Sequence, residues 1–182
     1  MEEPGRPVPV TLRFRALRVD RVPLQRLLRR CLDAEEAPSG FGIGLILAGG
    51  RLLRQLNREW RGRDATTDVL SFPYDEAPPL PAEAGAGSVL AEARLLGEIV
   101  ISIPRCREQA ATQGVDPGVE LVRLAVHGAL HVLGYDHELP LERAAMERRE
   151  RSLRRWARGA GLGPGVITES RARKRPPRRR GR

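Results

Sequence analysis

The sequence lacks any apolar run that approaches the roughly 18 residues needed to cross a membrane. Its first residues, M-E-E-P-G-R-P, also lack the basic and then apolar order of a secretory signal. The two cysteines, Cys31 and Cys106, have a spacing that matches no metal site, so we expect two reduced thiols. These absences argue against a membrane protein and favour a cytoplasmic location.

Acidic residues are missing from the C-terminal end, where the positive charge is concentrated. The net charge is +9, and residues 171–182 contain eight basic residues and no acid. Removing these eight from the 32 basic residues leaves 24 against 23 acidic ones, so the body is nearly neutral. We therefore predict one globular domain over 1–163 and a disordered arginine-rich tail over 164–182.

The tail has two interpretations that the sequence leaves open. It either contacts the phosphate backbone of a nucleic acid by releasing counterions, or it is a solubilising or incidental end. The candidate phosphate contacts in the tail are Arg171, Arg173, Lys174 and Arg175.

All three histidines lie in one stretch of eleven residues, H-G-A-L-H-V-L-G-Y-D-H. His127 and His131 are four residues apart, so a helix places both on one face. Gly134 is suited to end that helix, so that His137 could turn back to the same ion. Three neutral imidazoles with one open position are typical of catalytic zinc, which predicts one Zn²⁺ per chain.

The histidine spacing matches the metzincin pattern H-E-x-x-H-x-x-G-x-x-H except at one position. Gly128 stands where the general-base glutamate belongs, which favours a metal hydrolase other than a zincin protease. Asp136 is a candidate for orienting a ligating histidine. The alternative to metal binding is a helix with two buried histidines that form hydrogen bonds and a third histidine in a loop. That interpretation suits a lone histidine better than three histidines at this spacing.

Hydrophobic periodicity predicts the elements around this stretch. The metal helix should begin with Asp116 as N-cap and Pro117 as first residue, and it should be buried because it is apolar nearly all round. The proline-rich residues 74–94 are interpreted as a mobile loop. The other predicted elements are strands at 8–17, 41–48, 66–72 and 95–103 and helices at 22–32, 51–60, 104–113 and 139–158.

Three stretches carry a resemblance to a known family. They are L-N-R-E-W-R-G-R-D-A-T-T-D-V-L-S-F-P at 56–73, L-L-G-E-I-V-I-S at 95–102 and the histidine stretch. Over residues 8–161 the chain resembles the YbeY family of bacterial ribosomal RNA maturation factors, which are described as endoribonucleases. The resemblance implies an α+β fold, with a small mixed β-sheet packed by helices and a zincin-like metal-binding helix.

The resemblance also implies roles for single residues. It implies zinc ligation by the three histidines, and it places the family's functional arginine at Arg61. Without the resemblance, Arg61 would be interpreted as a surface arginine paired with Asp64. Where the family commonly has L-G-D, this chain has Glu98 in place of the aspartate. Glu98 and Asp136 are the candidates for a general acid or base.

Together with the predicted metal site, the resemblance implies a zinc-dependent endoribonuclease that cuts single-stranded RNA in ribosomal RNA maturation, at the 16S 3′ end, and in ribosome quality control. Zinc is expected to polarise a phosphoryl oxygen or activate water. Arg61 is expected to bind the scissile phosphate, and Arg58 and Arg63 to widen a basic groove. The expected partners are ribosomal RNA and the small ribosomal subunit or its proteins, with no DNA and no membrane.

Two rival functions stay open on sequence alone. A non-catalytic ribosome-assembly factor would carry a structural zinc and a basic surface, and the sequence separates it poorly from a nuclease. A metallopeptidase is less favoured because of Gly128. The native metal is also open, although ligands that are all nitrogen favour zinc over Mg²⁺.

Overall fold

The structure, a computed structural model, describes residues 6–14, 17–74 and 94–169, which contain six strands and five helices. The strands are β1 (Val10–Leu12), β2 (Leu17–Val19), β3 (Gly42–Ala48), β4 (Val69–Pro73), β5 (Leu95–Ser102) and β6 (Ile167–Glu169). The helices are α1 (Arg21–Ala34), α2 (Gly50–Arg61), α3 (Ile103–Gln113), α4 (Pro117–Val132) and α5 (Pro140–Gly159). None of these helices is long and apolar enough to cross a bilayer.

Four of the strands form one mixed sheet in the order β1-β3-β5-β4. β3 is parallel to both β1 and β5, whereas β4 pairs antiparallel with β5 and forms an edge of the sheet. The predicted α+β fold with a small mixed sheet is therefore confirmed. The edge strand β4 matters for function because it lines the cleft described below.

The predicted boundaries near both chain ends need correction. The single strand predicted over 8–17 is two strands, because β2 leaves the main sheet and pairs antiparallel with β6. Strand β6 lies beyond residue 163, so the folded chain continues past the predicted start of the tail, through the β-branched run V-I-T. The rest of the tail, 170–182, and residues 75–93 of the predicted loop lie outside the described residues.

The main sheet is covered on both faces, which explains why β3 is buried at every position instead of alternating. Leu45 and Leu47 point to the face that packs against α1, α4 and α5. Ile46 and Ala48 point to the opposite face, against the leucines of α2. Helices α2 and α4 therefore lie on opposite sides of the sheet.

Helix α4 begins and ends where the sequence predicts. Asp116 caps its start by accepting a hydrogen bond from the Gly118 backbone N–H at 2.7 Å, and Pro117 is the first helical residue. The helix ends at Val132, and Gly134 has a φ of 89°. A glycine reaches this left-handed conformation without strain, so the chain can turn back along the helix.

The difference in burial between Leu47 and Leu141 predicts different effects of the same substitution on stability. Leu47 is fully buried, so Leu47→Ala should lower the free energy of unfolding by about 2–5 kcal/mol through the cavity it leaves. Leu141 is 85% exposed and is the matched control, for which the same change should cost less than about 0.5 kcal/mol. Urea unfolding followed by circular dichroism measures both, and equal losses would contradict this core.

Candidate metal centre and its cleft

One cleft gathers five of the eight predicted site residues that the structure describes. It lies between the edge strand β4, helix α4, the loop after α1 and the segment that follows α4. The three histidines, Asp136 and Arg61 all line it. The fold therefore places the C-terminal end of α2 opposite the histidine stretch, although the two are far apart in sequence.

The three histidine rings converge on one point. The ring centroids of His127 and His131 are 4.7 Å apart, and His137 lies 5.8 Å from the first and 5.0 Å from the second. One ring nitrogen from each residue lies within 4.8 Å of the others. This arrangement brings the predicted ligands together at a single candidate metal position.

A carboxylate that the sequence analysis missed orients His127. The Nδ1 atom of His127 lies 2.7 Å from Glu150 Oε1 on α5. An ionised carboxylate can only accept, so Nδ1 donates, and this hydrogen bond is the first cause of the lowered pKa of Glu150. The Nε2 lone pair of His127 is then left for a metal, as in carboxylate–histidine–zinc arrangements.

The sequence did contain a signal for Glu150. Met146, Glu150, Leu153 and Ala157 follow one another at spacings of four, three and four residues, so they share one face of α5. The other three residues of this set are buried. A charged residue on an apolar helix face needs a partner, and that partner is His127.

His131 is held in the neutral form that a metal ligand requires. Burial, and then the neighbouring His127 and His137, lower the pKa of His131 to about 4. A neutral imidazole keeps its lone pair at neutral pH, which is the form that binds metal ions.

His137 is positioned through its backbone. Asp136 Oδ1 accepts a hydrogen bond from the His137 backbone N–H at 2.6 Å, and Arg143 Nε donates to the His137 carbonyl at 3.1 Å. We expected Asp136 to orient a histidine ring or to act as acid or base. Its closest contact instead fixes the backbone of the turn.

The same turn is anchored to α1 and α5. The Tyr135 hydroxyl donates to Glu35 Oε2 at 2.7 Å, and Arg149 Nε lies 2.7 Å from the other oxygen of Glu35. Burial, and then the hydrogen bond to Glu35, raise the pKa of Tyr135. This second unpredicted carboxylate ties the turn that carries His137 to two other helices.

Arg61 lies at the end of α2, where Gly62 ends the helix in the left-handed conformation. The alternative considered for Arg61, an ion pair with Asp64, does not form. Arg54 occupies that carboxylate instead, with Nε and NH2 each 2.7 Å from an Asp64 oxygen. Arg61 is therefore left exposed at the wall of the histidine cleft.

The two other predicted RNA contacts that the structure describes lie outside the cleft. Arg58 and Arg63 are exposed, but neither belongs to the cleft lining. Arg171, Arg173, Lys174 and Arg175 fall outside the described residues.

The structure does not bring Glu98 to the histidines, so its predicted role as acid or base needs correction. Glu98 is fully buried and lies opposite Phe72 in the antiparallel β4–β5 ladder. Directly opposed residues point to the same side of a sheet, and Phe72 belongs to the core under α2. Glu98 therefore points away from α4. Burial, and then Glu98, raise the pKa of its hydrogen-bonding neighbour Tyr74.

Gly128 sits against the sheet and leaves no room for the missing glutamate. A Cβ at this position would lie 2.6 Å from Ile99 Cγ2 and 3.1 Å from Ser71 Oγ. The Ser71 hydroxyl also donates to the Gly128 carbonyl at 3.2 Å. The close packing of α4 on β4 and β5 thus requires a glycine here and excludes a zincin-type base.

The donor set fits a metal ion. It combines a neutral His131, a His127 whose tautomer is fixed by Glu150, and a His137 held by a tethered turn. Within the described part of the chain the cluster consists of these three imidazoles, which suits a site that keeps one position open. Fold and site together define a class of α+β protein with three convergent histidines that could hold a metal ion and that face a cleft.

Comparison with known families identifies the class more closely. A sequence model of the family described as "Endoribonuclease YbeY" matches residues 15–156. The chain belongs to this family, so the predicted resemblance is confirmed. A protein of this name from Chloroflexus aggregans (strain MD-66 / DSM 9485) is 41% identical over 145 residues, covering 75% of this chain and 87% of the relative.

Other relatives are matched over a smaller part of their length. The "Endoribonuclease YbeY" of Anaeromyxobacter sp. (strain Fw109-5) is 44% identical over 127 residues, which is 70% of this chain. The match spans 58% of that relative and 59% of the one from Anaeromyxobacter dehalogenans (strain 2CP-C). The solution structure of a Thermotoga maritima protein has the same fold, with a TM-score of 0.56 and 22% identity over 85% of this chain and 91% of that one.

The contact between His127 and Glu150 predicts an effect on metal affinity. Glu150→Gln keeps the size of the side chain but weakens the acceptor, so metal affinity should fall by roughly 10–100-fold. Glu147→Gln, an exposed position on the same helix, is the matched control and should bind metal like the wild type. Competition with a chromogenic chelator measures both, and an unchanged affinity of Glu150→Gln would refute the orienting role.

Proposed function

We propose that this protein is a metal-dependent endoribonuclease that cuts single-stranded RNA in the maturation of ribosomal RNA and in ribosome quality control. Membership of the family and the names of its relatives support this activity. The observation that carries the proposal is the cleft, in which an exposed arginine faces three convergent histidines. A cation site beside a forked phosphate-binding group suits cleavage of a phosphodiester.

The metal that we propose is one Zn²⁺ per chain, held by His127, His131 and His137. The all-nitrogen donor set favours zinc over the oxygen-seeking Mg²⁺. When bound, zinc supplies polarisation of a phosphoryl oxygen or activation of water. Glu150 keeps Nδ1 of His127 protonated, and Asp136 keeps the turn of His137 closed, so that both rings stay aimed at the same point.

Arg61 is the proposed phosphate-binding residue. Its planar guanidinium can donate two parallel hydrogen bonds to a phosphodiester and can stabilise the negative charge that develops during cleavage. The Arg54–Asp64 pair supports this role, because it removes the carboxylate that would otherwise compete for Arg61. Arg58, Arg63 and the basic tail are proposed as further contacts to RNA.

Two rival functions can be distinguished from this proposal, one by the packing of Gly128 and the other by an assay of RNA cleavage. A zincin-type peptidase is disfavoured because the packing of Gly128 leaves no space for the base. A ribosome-assembly factor without catalysis would bind the small subunit or its RNA but would leave purified RNA intact. The small subunit is also the proposed partner of the nuclease, and the cytoplasmic location stays a prediction.

Substitution of His131 tests the metal mechanism. His131→Ala should lose bound zinc and RNA cleavage together, because two imidazoles hold zinc far less tightly than three. Metal analysis and cleavage of precursor ribosomal RNA are measured on the same sample. The control is the wild type stripped of zinc and then reloaded, which should lose and regain activity. Cleavage by a verified zinc-free preparation would reject the mechanism.

Substitution of Arg61 separates phosphate binding from metal binding. Arg61→Ala should lower kcat/KM for RNA cleavage by about 100-fold or more, while zinc content stays at the wild-type level. Arg61→Lys should recover only part of the activity, because an ammonium lacks the fork. Arg26→Ala, on α1 at the opposite face of the sheet, is the control. Full activity of Arg61→Ala would remove this residue from the mechanism.

A further inference from the structure

We propose that the exposed face of α2, together with Trp60, is a track that guides single-stranded RNA into the histidine cleft. The inference rests on the proposed nuclease function and adds the route by which the substrate reaches the site. Among the described residues that line the cleft, Arg61 is the one arginine, whereas RNA carries a phosphate on every nucleotide. The protein surface that continues from Arg61 therefore determines where the rest of the RNA binds.

Four arginines line one face of α2. They follow one another at spacings of three, four and three residues, which confines them to an arc of about 80° on a helix. Their Cα atoms span about 15 Å along the axis at 1.5 Å per residue. All four are exposed, and the last of them lies in the cleft. The four residues are Arg51, Arg54, Arg58 and Arg61.

The acidic side chains near this face, Glu59 and Asp64, already have hydrogen-bond partners. The acid within α2 is Glu59, which accepts a hydrogen bond from Gln55 at 3.0 Å. Asp64, on the loop after α2, accepts hydrogen bonds from two nitrogens of the Arg54 guanidinium. Within the described ranges, Arg51 and Arg58 form no such ion pair, so their charges remain available to phosphates.

An aromatic residue flanks the arginine face at the C-terminal end of α2, about 100° around the helix axis from Arg61. Trp60 is next to Arg61, is 39% exposed and packs against Phe72 with ring centroids 5.7 Å apart. An exposed tryptophan beside a row of cations is the combination with which proteins bind single-stranded nucleic acid, since bases stack on the ring while the cations follow the backbone. The surface therefore matches a phosphodiester chain with unpaired bases.

The chain offers a matched control for charge. Arg51→Gln with Arg58→Gln removes two charges from the track, and Arg21→Gln with Arg26→Gln removes two exposed charges from α1 on the opposite face of the sheet. Both double variants are made in the full-length, metal-loaded protein. Binding of a fluorescein-labelled single-stranded oligouridylate is measured by anisotropy at several salt concentrations, and the integrity of the oligomer is checked after each titration.

The track variant should bind the oligouridylate roughly tenfold more weakly at low salt. The slope of log K against log salt should become shallower by about 1.4, because two contacts of about 0.7 each are lost on a single strand. Its kcat/KM for RNA cleavage should fall in parallel, while the α1 variant should match the wild type. Equal affinity and slope for the two double variants would overturn the track.

Tryptophan fluorescence tests the aromatic end of the track. The chain has two tryptophans, and the second, Trp156, lies on α5 against Arg30 at the other face of the sheet. In Trp156→Phe, the oligouridylate should quench the emission of Trp60. In Trp60→Phe, the emission of Trp156 should stay unchanged. Quenching of Trp156, or no quenching of Trp60 at saturating oligomer, would contradict the assignment.

Failure of the track and failure of the proposed nuclease function have different signatures. If the wild type cuts RNA but both double variants bind it equally, the track is wrong and the function stands. The wild type could instead leave RNA intact while the α2 double variant binds the oligomer more weakly, with a shallower salt slope, and the oligomer quenches Trp60. In that case the track is supported and the proposed function is wrong.

Discussion

The burial of α4 is the constraint on which the rest of the molecule depends. Nearly every side chain around this helix is apolar, so β4, β5 and three other helices have to cover it. At Gly128 the approach to the sheet is so close that a Cβ would collide with Ile99. A helix fixed in this way aims His127 and His131 into the gap beside the edge strand. The turn at Gly134 then adds His137 to the same gap.

Polar groups on a buried helix need partners, and these partners hold the site in shape. His127 is bound by Glu150 from α5, and Arg123 is bound by Glu120 at 2.6 Å. Arg123 also lies 3.9 Å from Asp68, which lines the cleft next to β4. His127 is thus tied to α5, and Arg123, on the same helix, is tied to the segment before β4. The same contacts that stabilise α4 keep the imidazoles oriented for a metal.

The sequence predicted the parts whose signals are local. Periodicity, the Asp116 cap and the histidine spacing gave most element positions and all three convergent histidines. Contacts made across the fold were harder to predict. The placement of Glu98 depends on which face of β5 it occupies, and a fully buried strand has no alternation that would reveal this. Glu150 acts from another helix at no fixed spacing, and its position among apolar residues of α5 was the only signal.

The proposed centre requires three imidazoles that share one cation, and X-ray absorption at the zinc edge observes this coordination directly. On the full-length, zinc-loaded protein, we expect three imidazole nitrogens at about 2.0–2.1 Å, a fourth light atom and no sulfur. The buried thiols of Cys31 and Cys106 are the sulfur ligands that this coordination excludes. A sulfur shell at about 2.3 Å, or fewer than three imidazoles, would contradict it.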